Sequence, residues 1–219
     1  MNYPIKNAII DYMKNGDCTF LYNAAVELYS TYPRCVCDCL MNLLGTHDTE
    51  RILTVLGGKN SEGLSNAELS TLRMSESERA YAVSLLKMAS AIQYTIFGFP
   101  SVFYGDEAGI EGYRDPFCRM PYPWGRECSE LVEHYKALGK LRLEHTAYAG
   151  GDFKVVAHDK GLFAFIRENE SEKLLTVVNR ASFEIRYSVG AKWRDAITGE
   201  VDEGEILIPS NTFKIIEIL

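Results

Sequence analysis

His47 and Asp48 stand at the end of a short apolar run, in Met41-Asn-Leu-Leu-Gly-Thr-His-Asp-Thr-Glu-Arg51. An apolar strand ending in Gly-Thr-His-Asp delivers polar side chains to the open end of a parallel sheet or barrel. A second such run, Ser101-Val-Phe-Tyr104, is followed by Gly105 and two carboxylates, Asp106 and Glu107. A third grouping is Asp115 and Arg119, four residues apart in a loop that also holds Tyr113, Tyr122 and Trp124. Carboxylates at strand ends act as acids, bases or nucleophiles, or accept hydrogen bonds from hydroxyls. Each grouping also has a plainer reading. Asp48 suits a helix N-cap. Asp106 and Glu107 suit a solvated turn or an ion pair with a nearby Arg. Asp115 and Arg119 suit a salt bridge within their loop, and the aromatics suit packing as well as stacking.

The remaining candidates are weaker. Cys35-Val-Cys37-Asp-Cys39 would place three thiols on one face if the segment were a strand, and thiolates bind soft metals. The spacing is shorter than in common zinc knuckles, and no His completes a set, so no metal site is expected. His134, His145 and His158 have no partners at ligand spacing. The six cysteines of this chain read as reduced, partly buried thiols, which favours a cytoplasmic setting.

The 219 residues suffice for one large domain, or one medium and one small. Net charge is −7. This disfavours nucleic acid, and none is expected as a partner, since a phosphate footprint needs clustered Lys and Arg. An acidic chain with 11% aromatics suits a neutral polyhydroxylated ligand better. No apolar run reaches the ~20 residues of a membrane span, so no membrane partner is expected. Met1-Asn-Tyr-Pro4 does not open a signal peptide.

Two parts position these groups. Residues 1–148 alternate helix and strand patterns. Pro4 and Gly16 bracket one helix and Thr19 and Pro33 a second. Glu50 to Leu56 reads as a short helix, and Asn60 to Asn66 as loop. Ser75 and Glu78 form a capping-box pattern before a long buried helix, 76–97. Ser129 to Leu143 is a last helix. Strands are expected at 40–44 and 101–104. Two apolar strands ending in carboxylates, each followed by a helix, are βα units, whose ligands sit at the carboxyl ends of the strands. A closed (β/α)₈ barrel takes about 250 residues, so this part cannot close one alone. Residues 149–219 carry six short strand runs separated by turns and predict a small antiparallel β-sandwich.

Four segments in order carry a resemblance. These are Met1-Asn-Tyr-Pro4 with the helix after it, Asn42 to Arg51, Gly98-Phe-Pro-Ser-Val-Phe-Tyr-Gly-Asp-Glu-Ala-Gly109, and Asp115-Pro-Phe-Cys-Arg-Met-Pro-Tyr-Pro-Trp124. Together they resemble the C-terminal portion of the α-amylase family (glycoside hydrolase family 13), in particular its cyclomaltodextrinase, neopullulanase and maltogenic amylase group. The resemblance implies the last strands, seven and eight, of a (β/α)₈ barrel followed by the β-sandwich. It implies that Asp48 stabilises the transition state and that His47, Asp115 and Arg119 bind the sugar. Tyr104, Asp106, Glu107 and Trp124 would line or support the site, with Thr49, Glu50 and Arg51 bracing the turn.

Retaining glycosidases need two carboxyls about 5–5.5 Å apart and inverting ones about 6.5–9.5 Å apart. The family's nucleophilic Asp on strand four, the Arg beside it, the acid Glu on strand five and the His-Asn pair of strand three have no counterpart here. The resemblance therefore implies a parent that hydrolyses α-glucans, such as maltooligosaccharides, cyclodextrins or pullulan, and a chain inactive by itself. A homo-oligomer, or the missing N-terminal half of the enzyme, would cover its open barrel edge. No cofactor is expected, and nothing in the chain indicates the calcium that a parent enzyme can carry. The alternatives from other classes are a non-catalytic glucan-binding or interaction module, and a piece of a related transglycosylase or sugar isomerase.

Overall fold

The computed structural model describes residues 1–219. Helix α1 (Tyr3–Asn15) starts where the Asn2 side chain accepts from the Ile5 N–H, with Pro4 in its first turn. It stops at Gly16, which takes the left-handed conformation (φ 76°) that a residue with a Cβ adopts only under strain. Helix α2 (Thr19–Thr31) begins one residue earlier than the sequence suggests, since Thr19 is its first residue and not its cap. Cys18 occupies its cap position, and Asp17 supplies the side-chain oxygen, to the Thr19 N–H at 2.8 Å.

Residues Arg34–Asp38 form a short helix, α3, and not the strand on which the three thiols would align. Pro33 starts it. Helical spacing then turns Cys37 inward and leaves Cys35 and Cys39 exposed. No three His, Cys, Asp or Glu side chains lie together as a metal-binding group.

Strand β1 (Met41–Leu43), α4 (Ile52–Gly57), α5 (Asn66–Thr71) and α6 (Glu76–Thr95) follow. Both α5 and α6 open on reciprocal capping boxes, Ser65 with Glu68 and Ser75 with Glu78. The second was legible in the sequence. The first precedes only six helical residues, too short to show a period. Strand β2 (Phe99–Ser101) pairs with β1 in parallel, Met41 opposite Phe99 and Leu43 opposite Ser101. It lies two residues earlier than expected. Pro100 is tolerated there because β2 is an edge strand. Helices α7 (Ser129–Glu144) and α8 (Ala147–Gly150) complete this part.

Six antiparallel strands follow: β3 (Asp152–Asp159), β4 (Leu162–Glu168), β5 (Lys173–Asn179), β6 (Ile185–Asp195), β7 (Val201–Ile208) and β8 (Thr212–Ile218). They form one hydrogen-bonded sheet in the order β3-β4-β5-β8-β6-β7. The sandwich arises because this sheet folds over itself. Ile206 and Ile208 of β7 pack in one cluster with Leu162 and Ala164 of β4, four strands away in the ladder. β7 also contacts β5, three strands away in the ladder, which brings the two face to face.

The other face of the sheet shares a core with the helices. Phe153, Phe163, Phe165 and Val178 cluster with Ile5, Ile9, Leu21, Leu86 and Phe97. Polar ties reinforce it. The Tyr12 hydroxyl reaches the carbonyls of Gly161 (2.7 Å) and Val178 (2.9 Å). Buried Arg167 of β4 donates to Ile96 and Gly151 carbonyls at 2.9 Å each, and to Asp152 at 3.3 Å. No helix is long and apolar enough to cross a membrane.

Two expectations test this packing. Arg167→Leu removes donors from several buried carbonyls and should lower stability by about 3 kcal/mol or more in urea unfolding. A loss within 0.5 kcal/mol, the scale of a neutral surface change, would show that water replaces the guanidinium. His134, 2.8 Å from the Ser90 hydroxyl, is pushed down from 6.5 to about 4, chiefly by burial and further by Lys87. The unfolded chain takes up that proton first, so this contribution is present above about pH 6.5 and is lost as pH falls through about 4. His134→Gln should flatten the fall of melting temperature across that window; an unchanged slope would place the acid sensitivity elsewhere.

Candidate active site at the ends of two parallel strands

The chain is buried from Asn42 to Thr46 and first reaches solvent at His47. The turn there is held by its own hydroxyls. Thr46 Oγ1 accepts from the Asp48 N–H (3.2 Å), Thr49 Oγ1 from the Thr46 N–H (3.2 Å), and the Thr46 carbonyl from the Thr49 N–H (3.4 Å). Asp48 therefore does not cap a helix: α4 begins after Arg51 with no side-chain cap. Its carboxylate points outward instead, with the His47 and Asp48 side chains 65% and 66% exposed.

The structure brings four of the sequence-derived residues together. His47 Nε2 lies 3.2 Å from Asp48 Oδ2. Arg119 Nη2 lies 3.6 Å from Asp48 Oδ1 and 3.4 Å from Asp115 Oδ2. Arg119 Nε donates to the His47 carbonyl at 3.2 Å, and the Cys118 thiol approaches the same oxygen at 3.5 Å. A single 3₁₀ turn, Phe117–Arg119, presents both. The salt bridge expected of Asp115 and Arg119 is present, but it is shared with Asp48. Beside this cluster lies an open cleft of about 190 Å³, lined by Leu43, Gly45, Thr46, His47, Asp48, Ser101 and Phe103, with Met1 and Tyr3 across from them.

The candidate lining residues divide. Trp124 is 81% exposed and tilts against Tyr122, with ring centroids 4.6 Å apart. Tyr104 is partly exposed, its hydroxyl donating to the Met120 carbonyl at 2.9 Å. Glu107 faces back into its own turn and accepts from the Gly105 N–H at 2.9 Å. Asp106 is only 2% exposed and pairs with the buried Arg51 at 3.4 Å. Burial pushes its carboxyl up to about 7, against the pull of Arg51. It is thus no surface ligand for a substrate, and the ion-pair reading of this residue holds.

Sequence reasoning missed the parts played by Thr46 and Cys118, which act on neighbouring backbone. Thr46-x-x-Thr49 is a pattern of hydroxyl-bonded turns that signals this after the fact. Nothing in the local sequence marks Cys118.

A parallel strand pair with polar turns at its carboxyl ends, backed by helices, is the construction of an α/β enzyme site. No family model matches the chain. It is 35% identical over 179 residues to an amylopullulanase of Thermoanaerobacter thermohydrosulfuricus, covering 76% of this chain and 12% of that one. To a cyclomaltodextrinase of a Bacillus species it is 30% identical, covering 82% and 29%. To neopullulanase 2 of Thermoactinomyces vulgaris it is 29% identical, covering 94% and 33%. A solved cyclomaltodextrinase superposes with a TM-score of 0.78 at 25% identity, over 99% of this chain and 36% of that one. An Anoxybacillus α-amylase superposes with a TM-score of 0.79 at 21% identity, over 99% and 46%. The chain spans about a tenth to a third of the length of these curated relatives. It is homologous to glycoside hydrolases of the α-amylase family, in the group of amylopullulanases, cyclomaltodextrinases and neopullulanases.

The turn itself supplies one test. A methyl group at Gly45 would overlap Oδ2 of Asp106. Gly45→Ala should cost about 1–3 kcal/mol in urea unfolding, as over-packing does. A neutral result would mean that the Asp106 carboxylate moves aside freely.

Proposed function

We propose that this chain is the C-terminal piece of an α-glucan hydrolase, holding sugar without cleaving it. Residues 1–148 would be the end of a (β/α)₈ barrel and 149–219 its C-terminal sheet domain. The observation that carries the reading is the convergence of His47, Asp48, Asp115 and Arg119 at the end of β1, beside an open cleft.

The roles are those the resemblance implies, and the geometry is compatible with them. Asp48 is an exposed acceptor fixed by backbone bonds at its own turn, suited to two sugar hydroxyls of one residue. Its hold strengthens as positive charge develops on the ring of a glycoside being cleaved. His47, beside it, donates to a neighbouring hydroxyl. Asp115 and Arg119 present an acceptor and a forked donor further along the sugar chain. Trp124 offers an unoccupied face for stacking.

Bond cleavage requires two further carboxyls, a nucleophile and an acid/base. Asp106 is buried against Arg51 and Glu107 is turned back on Gly105, so neither fills those roles. The parallel pair β1–β2 has no third strand on either side within these residues. Further strands of the parent, or a second copy of this chain, would cover that edge.

The test joins turnover with binding. The purified chain should release no p-nitrophenol from p-nitrophenyl α-maltoside. Calorimetry should show maltoheptaose binding that Asp48→Ala weakens by about tenfold, the scale of one charge-assisted hydrogen bond. Turnover abolished by Asp48→Ala would overturn the inactivity. Absence of maltoheptaose binding would overturn the glucan-holding role.

A further inference from the structure

Two turns meet beneath the exposed pair. One carries Thr46 to Arg51 off β1, and the other carries Phe103 to Gly109 off β2. Arg51 joins them. Its side chain is wholly buried, with the guanidinium 4.3 Å from the centroid of Phe103 and 4.6 Å from that of Tyr104. Nη1 donates to the Tyr104 carbonyl and lies 3.4 Å from Asp106 Oδ1. The Arg51 backbone N–H donates to the Gly112 carbonyl at 2.8 Å. On its other side the Asp106 carboxylate fills the space over Gly45. Gly45 opens the β1 turn and Arg51 ends it, so both ends of the span bearing His47 and Asp48 rest on Asp106.

The hold is unusual in one respect. Nε and Nη2 of Arg51 are buried without a hydrogen-bond partner. Stacking, one carbonyl and one carboxylate are all that fix this cation. We propose, on the footing of the glucan-holding site, that Arg51 and Asp106 are its positioning residues: they set the direction in which His47 and Asp48 leave β1, and that setting follows the charge on Asp106.

The surroundings of Asp106 make its charge variable in the neutral range. Burial raises its pKa to about 7. Arg51 from the β1 turn and Lys6 from α1 favour the carboxylate, and Glu107 opposes it. Tyr135 of α7 also faces it and is kept in its neutral phenol form by burial. When Asp106 takes up a proton, Arg51 becomes a buried cation without a counter-ion, which a low-dielectric site disfavours strongly. The guanidinium must then shift or admit water, and the turn it terminates shifts with it.

Asp106→Asn keeps the shape and removes the charge. The backbone amides of Thr46, His47 and Asp48, followed by ¹⁵N NMR across the neutral range, report the turn directly. The difference between the unmodified chain and Asp106→Asn should trace a step centred near pH 7. Superimposable titrations would overturn the proposal, whether or not the chain binds sugar. Glu107→Gln, outside the clamp, should keep the step and move it to lower pH, because Glu107 opposes the Asp106 carboxylate. If Asp106→Asn yields no folded protein, Arg51→Lys replaces the fork by a compact charge, and the step must move or vanish. A step unchanged in Arg51→Lys would overturn the proposal equally. In calorimetry at about pH 8, Asp106→Asn should weaken maltoheptaose binding by roughly tenfold or more, the cost of a misplaced contact group. Failure of the unmodified chain to bind maltoheptaose at any pH would instead sink the glucan reading and leave the amide test standing.

Discussion

The buried C-terminal end of α6 is the constraint on which the rest depends. A helix end leaves its last carbonyls without partners inside the helix, and burial makes that costly unless other donors arrive. Here the donors are side chains from across the fold. Arg142 of α7 takes the Tyr94 and Gly98 carbonyls, and Arg167 of β4 takes Ile96. Asn42 of β1 takes Phe97 at 2.6 Å. The two guanidinium charges also face the negative end of the helix dipole. Gln93, in the last turn of α6, donates to the carbonyls of Asn42 and Ser101 and so fixes β1 against β2. One helix terminus thereby sets the register of the strand pair, the seat of α7 and the docking of the sheet.

The site inherits its form from that register. With Leu43 opposite Ser101, the turns after β1 and β2 leave the sheet side by side. The charges then sort into two levels. Asp48, His47, Asp115 and Arg119 lie on the outer level in high dielectric, where their mutual attraction is weak and a ligand's hydroxyls displace water at small cost. Asp106 and Arg51 lie on the inner level, where desolvation competes with attraction. Weak outer pairs suit exchange with a ligand. The inner pair is costly to disturb and so suits holding a shape.

How much of this was legible in the sequence depends on the range of the interaction involved. Gly16, the Ser75–Glu78 box and the six strand runs of the last seventy residues are local signals, and each names an element that is present. Asp48, His47, Asp115 and Arg119 were legible as candidates because a motif marks them, and their contacts came only from the fold. The start of β2 was misplaced because the Leu40 carbonyl, far away in sequence, and the Gln93 side chain decide where pairing begins. The segment with three cysteines reads equally as strand or helix by period, and Pro33 at its start tips it to a helix. The folding of one sheet over itself rests on β7 meeting β5, which no local pattern encodes. The burial of Asp106 was hidden for the same reason, since Lys6 of α1 and Gly45 and Arg51 of the β1 turn enclose it.

The shared core has a consequence for the site. Arg180, at the end of β5, donates to the Met13 carbonyl at 2.7 Å and so holds the last turn of α1. Tyr12 of that helix reaches back to the sheet, and Asn2 at its start bonds Asn42 of β1 at 2.8 Å. The path from sheet to α1 to β1 therefore runs through buried polar groups whose loss leaves partners unsatisfied. Contacts of this kind fail together, because each opened group exposes the next to an uncompensated burial cost. The sheet is thus part of what keeps β1, and the turn bearing Asp48, in place. A protein that only needed a second domain as ballast would leave such an interface wetter and more polar. Here the interface is a core, and the orientation of the exposed carboxylate is bound to the integrity of strands more than a hundred residues away.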